Sequence, residues 1–325
     1  GSGGITLNGG SIRAGGSART LSNAVTVGGN FTVGGTNALT LSGAMALGAT
    51  TRTVTTDNTA NTTFSGVLSG SADLTKAGNG TLVLSNANTY TGATLVSAGT
   101  LNLQNGGALG TATNTTNTTV ANGATLQLQN GVATTKGGTL VLNGAGTGTG
   151  SGALESVSGN NRWNSDITVA TGATIRSATA GATLTLGNDT ATSLFSLGGN
   201  TLTFDGAGDT FIYSDLGVAG DTGGVIKNGT GKLTLYGYNT YYTGATQVNA
   251  GALDLVVGPF SPGVYEINGP LTIGTGPANS GLAGTVSVNI RSDSYENQFA
   301  PSASVTIHSD GILNVGASTG LGALT

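Results

Sequence analysis

Asp205, Asp209, Asp215 and Asp221 fall in one Gly-rich stretch, with Arg176 before them and Lys227 and Lys232 after. Clustered carboxylates beside a basic residue are what a calcium-assisted lyase needs, acids to hold the ion and a base to take a proton. The spacing argues against that chemistry. No calcium-loop pattern is present, and Asp in Gly-rich corners is favoured for hydrogen bonds within its own turn. A hydrolase would need paired carboxylates, and Asp293 with Glu296 comes nearest to that arrangement. His308 is the only histidine and there is no cysteine, which leaves a zinc site without donors. As a catalytic base His308 would need a serine and an orienting acid beside it; a solvated histidine at a strand edge is the plainer reading. The sequence therefore predicts no catalytic residue, no cofactor and no metal. Two aromatics stand out as candidate ligand contacts: Trp163, in NNRWN, and Tyr295, in the charged stretch 290–299. Either could stack on a sugar.

The elements that would position such residues are short strands. Charged residues make up 7% and aromatics 5%, while glycine reaches 59 of 325 residues. Disordered chains are charged and poor in apolar residues, whereas this one is 37% apolar. Segments such as ITL, VTV, FTV and LTL alternate with Gly-Gly and Ser-Gly turns, the period-two pattern of half-buried strands. The Thr-rich stretch 50–64 reads as strand with an exposed threonine face. With a net charge of −4 and ten scattered basic residues, there is no basic stripe for nucleic acid.

Organisation comes from an internal repeat at 74–103 and 225–255. Lys76, Gly78, Gly80, Leu82 and Leu84 match Lys227, Gly229, Gly231, Leu233 and Leu235 at an offset of 227 − 76 = 151. Thr89, Tyr90, Gly92, Thr94 and Gly99 match Thr240, Tyr242, Gly244, Thr246 and Gly251, the last at 251 − 99 = 152. One residue has been added to a loop, and Tyr241 or Tyr242 is the expected addition. A unit that absorbs an insertion at one corner while its alternating apolar positions persist is a coil of strands. Within the first copy two Thr-Leu-x-Leu segments start 101 − 82 = 19 residues apart. The fold class is thus all-β, a parallel β-solenoid of roughly 16 coils of about 20 residues each, running through 1–325 as one continuous solenoid within a longer protein. Lys76 and Lys227 are expected to cover corner carbonyls with the ammonium, their stems on apolar surface. Tyr90 and its counterpart are expected to cover the solenoid edge with the hydroxyl in water.

These two segments resemble the passenger-associated transport repeat, also called the autotransporter-associated β-strand repeat, of bacterial type V secretion. FSGVLSG ahead of the first copy and GALESVSGNNRW between the two resemble sequences that accompany it. The resemblance implies a right-handed β-helix at the surface of a Gram-negative-type cell, exported through an outer-membrane β-barrel translocator. It implies that folding outside the cell, coil on coil, draws the passenger out. The motif residues then serve structure and export. On this reading the chain is a structural rod, with an adhesin for surface glycans and a polysaccharide lyase or hydrolase as alternatives. End-to-end stacking of further copies into a filament is a further expectation.

Overall fold

A computed structural model describes residues 3–187, 194–236, 240–256, 267–276, 286–291 and 299–316. Among them there is no helix, and the strands run mostly from two to six residues, as Gly and Asn punctuation dictates. Each registered strand pair in either unit is parallel, and many stack like residues on like. Thr6 lies on Thr26, Thr40 on Thr63, and Leu82 and Leu84 on Leu101 and Leu103. The chain divides into two compact units, Gly1–Ser165 and Asp166–Thr325, each a parallel β-solenoid.

In the first unit each coil up to Leu84 offers three strands. Met45–Ala46, Arg52–Thr56 and Thr62–Phe64 are followed one coil later by Leu68–Ser69, Leu74–Ala77 and Thr81–Leu84. Thr94–Val96 and Gly99–Leu103 continue the second and third stacks. Alternation sends Val54, Leu74, Leu82, Leu84, Val96, Leu101 and Leu103 into a narrow interior, where each is buried. The threonine stretch departs from expectation. Thr53, Thr55 and Thr63 do face outward, but Thr56 and Thr62 are fully buried, and the Thr56 hydroxyl donates to the Gly80 carbonyl at 3.2 Å. The narrow interior brings a backbone partner to the Thr56 hydroxyl, whereas the buried Thr62 hydroxyl has none.

The second unit repeats the plan. Leu202–Asp205, Val225–Lys227, Thr246–Val248, Leu271–Ile273 and Val305–Ile307 form one stack. Thr183–Leu186, Asp209–Ile212, Lys232–Leu235, Ala252–Val256, Val286–Arg291 and Gly311–Val315 form another.

The coils number about 12, fewer than the 16 expected. Nineteen residues is the shortest coil: Leu82 to Leu101 spans 101 − 82 = 19 and Leu74 to Thr94 spans 94 − 74 = 20, but Leu126 to Leu154 spans 154 − 126 = 28 and Ala252 to Ser287 spans 287 − 252 = 35. Corner insertions lengthen a coil without disturbing the strands on either side, and the entropy of closing a longer loop grows only slowly with its length.

Candidate functional site: the repeat corners and the outer face

Lys76 lies on an inward position of Leu74–Ala77 and is fully buried. Its ammonium has three protons to give, and each finds a carbonyl: Ala77 at 3.0 Å, Gly78 at 2.8 Å and Ala98 at 2.9 Å. Lys227 does the same with Asn228, Gly229 (2.8 Å) and Ala250 (3.1 Å). Two of the carbonyls belong to the lysine's own corner and the third to the corner one coil on, so one side chain ties consecutive coils together. Burial lowers each lysine from the ordinary 10.5 to about 8, opposed by Asp57 for Lys76 and by Asp205 and Asp209 for Lys227. The expectation of a lysine covering corner carbonyls describes this geometry, with the stem inside the solenoid rather than on its surface.

The glycines beside these lysines let the corners approach. Gly78 and Gly99 hold φ at +76° and +62°, and a Cβ on Gly99 would sit 2.4 Å from the Gly78 carbonyl oxygen. Gly229 and Gly251 repeat the arrangement, with φ +67° at each. Gly80, Gly92, Gly231 and Gly244 lie under equally close backbone: a Cβ on Gly92 would meet the Ala72 carbonyl at 2.1 Å and one on Gly244 the Gly223 carbonyl at 2.2 Å. Leu82, Leu84, Leu233 and Leu235 fill the core between them.

The tyrosines correct an expectation. Tyr90 and Tyr242 are 0% exposed, and their hydroxyls meet the Thr94 and Thr246 hydroxyls, each at 2.7 Å. Their phenols are inside, not at a wet edge; for Tyr90 burial raises the pKa well above the usual phenol value, opposed by the bond to Thr94. The partner threonine lies four residues on, where the chain has turned the corner, so the pairing closes the turn.

The register of the insertion also differs from the sequence alignment. Thr89 is exposed and its amide donates to the Leu68 carbonyl; Tyr241, exposed at 41%, donates likewise to Leu216. Thr240 is buried as Asn88 is. Tyr241 therefore occupies the place of Thr89 and Thr240 that of Asn88. The extra residue falls between Leu235 and Thr240. Asn88 itself bonds two neighbouring coils, accepting from the Leu68 amide at 2.8 Å and donating to the Ala108 carbonyl at 2.6 Å.

Of the two candidate ligand contacts, Trp163 is not available as one. Trp163 is fully buried in Asn161–Trp163, where period two carries Asn161 and Trp163 inward together and leaves Arg162 outside. Its ring packs the core and cannot stack on a sugar. Tyr295 lies outside the described residues, as do Asp293 and Glu296. His308, just past Val305–Ile307, is half-buried, and its amide donates to the Ile273 carbonyl. The aspartates serve the backbone: Asp209 accepts the Lys232 amide at 2.8 Å, and buried Asp221 accepts those of Leu197 at 2.6 Å and Val218 at 3.0 Å.

Sequence reasoning passed over an aromatic group on the outer face. Tyr213 and Tyr236, one coil apart, stack with centroids 4.6 Å apart and 3° between planes; Phe211 lies 6.1 Å from Tyr236. Aromatics at alternate positions in DTFIY, each flanked by an inward apolar residue, were the signal.

The buried lysine and the Tyr-Thr pair recur at the corners of both repeats of this parallel solenoid. The Passenger-associated-transport-repeat family model matches residues 74–103 and 225–255, the two segments that carry those corners. The chain is 32% identical over 207 residues, 64% of its length, to the Adhesin BmaC autotransporter of Brucella suis biovar 1 (strain 1330), and it spans 5% of that protein. No solved structure matches it. The chain carries two passenger-associated transport repeats and is similar to an autotransporter passenger, a class found at the surface of, or outside, Gram-negative bacteria.

Proposed function

We propose that the chain is a non-catalytic structural segment of an extracellular passenger, whose repeat corners make each finished coil the template for the next after export through an outer-membrane β-barrel translocator. The observation that carries this reading is the buried lysine ammonium spanning two consecutive corners, present in both repeats. A coil that docks on a formed neighbour gains its strand hydrogen bonds, its burial and this three-carbonyl lock together, with no new nucleus to form. Lys76→Met and Lys227→Met in the natural full-length protein are expected to slow arrival of the passenger at the cell surface, followed by its accessibility to external protease. Unchanged export in a double variant with a lowered melting temperature would sink the export role. Turnover of a polyuronide with calcium, lost in Asp205→Ala or Asp209→Ala, would overturn the non-catalytic reading.

An adhesin is the second reading. It is favoured by the similarity to the Brucella adhesin and by the solvent-facing aromatics of the second unit.

A further inference from the structure

We propose that the outward aromatic strip of Phe211, Tyr213 and Tyr236 is a binding face for an uncharged polysaccharide. The proposal deepens the adhesin reading and rests on it.

Four aromatics among the described residues reach solvent, and all lie between 211 and 241: Phe211, Tyr213, Tyr236 and Tyr241. Every other described aromatic is buried. The strip is not demanded by the core, because Ile212, Leu233 and Leu235 point inward from the same strands and fill it. Stacked coils set the ring spacing: strands lie about 4.8 Å apart, and the two tyrosine rings stand 4.6 Å apart, almost parallel. Each ring of the pair covers one face of the other, and both, like Phe211, stay half-exposed. A sugar's C–H face packs on a ring face left uncovered, while its hydroxyls exchange hydrogen bonds with polar groups at the rim. Thr185, stacked on Phe211, adds a further hydroxyl to the rim.

Charge complementarity selects the kind of sugar. Lys232 lies beside the strip, but its ammonium is 3.4 Å from the Asp254 carboxylate, which also accepts from Asn289 at 2.6 Å. Asp209 lies on the other side of Lys232 in the same outward column, one coil earlier. Two carboxylates against one ammonium leave no attraction for a uronate or sulfated chain. An extended ligand is favoured because the strip runs from coil to coil, in the direction along which a polysaccharide presents repeating units.

The test is affinity electrophoresis of the purified chain through gels holding soluble β-glucan, galactomannan or xylan, with hyaluronan and polygalacturonate as acidic probes. At least one neutral polysaccharide should retard the chain and neither acidic one should. Tyr213→Ala and Tyr236→Ala should each weaken the retarding affinity about tenfold or more, as removal of a central aromatic contact does, and Tyr236→Phe should keep most of it. If an alanine variant fails to fold by thermal melting, Thr185→Arg, which crowds the rim and leaves the core alone, should abolish retardation. No retardation by any neutral probe, or retardation indifferent to these substitutions, overturns the proposal. Attachment of the intact chain to cultured host cells separates the two readings. Attachment that survives both alanine substitutions keeps the adhesin and overturns this face. Retardation without attachment to any cell does the reverse.

Discussion

The two repeats are alike at their corners and different along the strand between. Lys76 and Lys227 hold corresponding carbonyls, and Tyr90 and Tyr242 hold corresponding threonines at the same 2.7 Å. At alternate positions in and just past the third strand, buried Val83 and half-buried Ser85 of the first copy are replaced by buried Thr234 and half-buried Tyr236 in the second. The columns that continue from them differ too. Asn102 donates to Gln127 at 3.0 Å, and Gln127 to Glu155 at 2.9 Å, a ladder of amides ending in a carboxylate. In the second unit the same column holds Asp254, Asn289 and Asn314, with Lys232 paired to the aspartate. Inward residues are fixed by what stacks above and below them. The alternate positions differ between the copies even where they are buried, as at Val83 and Thr234.

If the inner halves are equivalent, breaking either should cost the same. Lys76→Ala and Lys227→Ala each leave three carbonyls without a donor and a hole where the stem lay, and each is expected to lower stability by about 3–5 kcal/mol. Urea unfolding of the purified chain reads both. A loss confined to one copy breaks the comparison.

Lys136 sharpens it by contrast. TTKGGTLVL looks like the corner of the repeat, LTKAGNGTLVL, yet Leu140 of that stretch stacks on Thr118, in the column of Leu74 and Thr94 rather than of Leu82. Lys136 is buried, and its ammonium has no hydrogen-bond partner. Burial lowers it to about 8, with only the charge of Asp73 in opposition. Lys136→Met should therefore stabilise the chain, by about 1–4 kcal/mol, where the same change at Lys76 destabilises it. A fall in melting temperature for Lys136→Met would refute that distinction.

The same lysines give a pH dependence with a definite sign. Folded Lys76, Lys136 and Lys227 release their protons above about 8, while an unfolded lysine keeps its proton to 10.5. Between those values the unfolded state binds more protons, so stability rises with pH from about 8. Tyr90 works the other way beyond the ordinary phenol value of 10.0, because the buried phenol stays protonated while the unfolded one ionises. Chemical denaturation across pH 7 to 10 should show the rise, smaller in a Lys76→Met, Lys227→Met double variant. A flat profile would mean that the three-carbonyl lock holds the protons against burial. Next in size come Tyr90→Phe and Tyr242→Phe, each expected to cost about 1–2 kcal/mol by leaving a buried threonine hydroxyl unpaired.

The corners were legible in the sequence because stacking backbone on backbone admits only glycine there, and a buried lysine repeated at one offset has to do one job. The coil count was not, since insertions at corners leave no trace in the strand pattern. The tyrosine hydroxyls were misjudged because their partner lies around the turn, a contact that spacing alone does not reveal. Trp163 was misjudged because NNRWN reads as surface, whereas period two from Asn161 carries the ring inside. The strip of Phe211, Tyr213 and Tyr236 needed the register of two coils, since Tyr213 and Tyr236 are 236 − 213 = 23 residues apart and become neighbours only when stacked.

The smallest effect tests the freedom of the outer face directly. Ser85 holds in the first repeat the place that Tyr236 holds in the second, half-buried like it and clear of the lysine and tyrosine locks. Ser85→Tyr is expected to change stability by no more than about 0.5 kcal/mol, the range of surface substitutions remote from packed features. A ring there lacks the stacked partner that Tyr213 supplies to Tyr236. The variant should accordingly gain no retardation by neutral polysaccharide in a Tyr213→Ala, Tyr236→Ala background. A large loss of stability would mean that the outer column is constrained as tightly as the inner one. The difference between the two repeats would then be a matter of packing rather than of function.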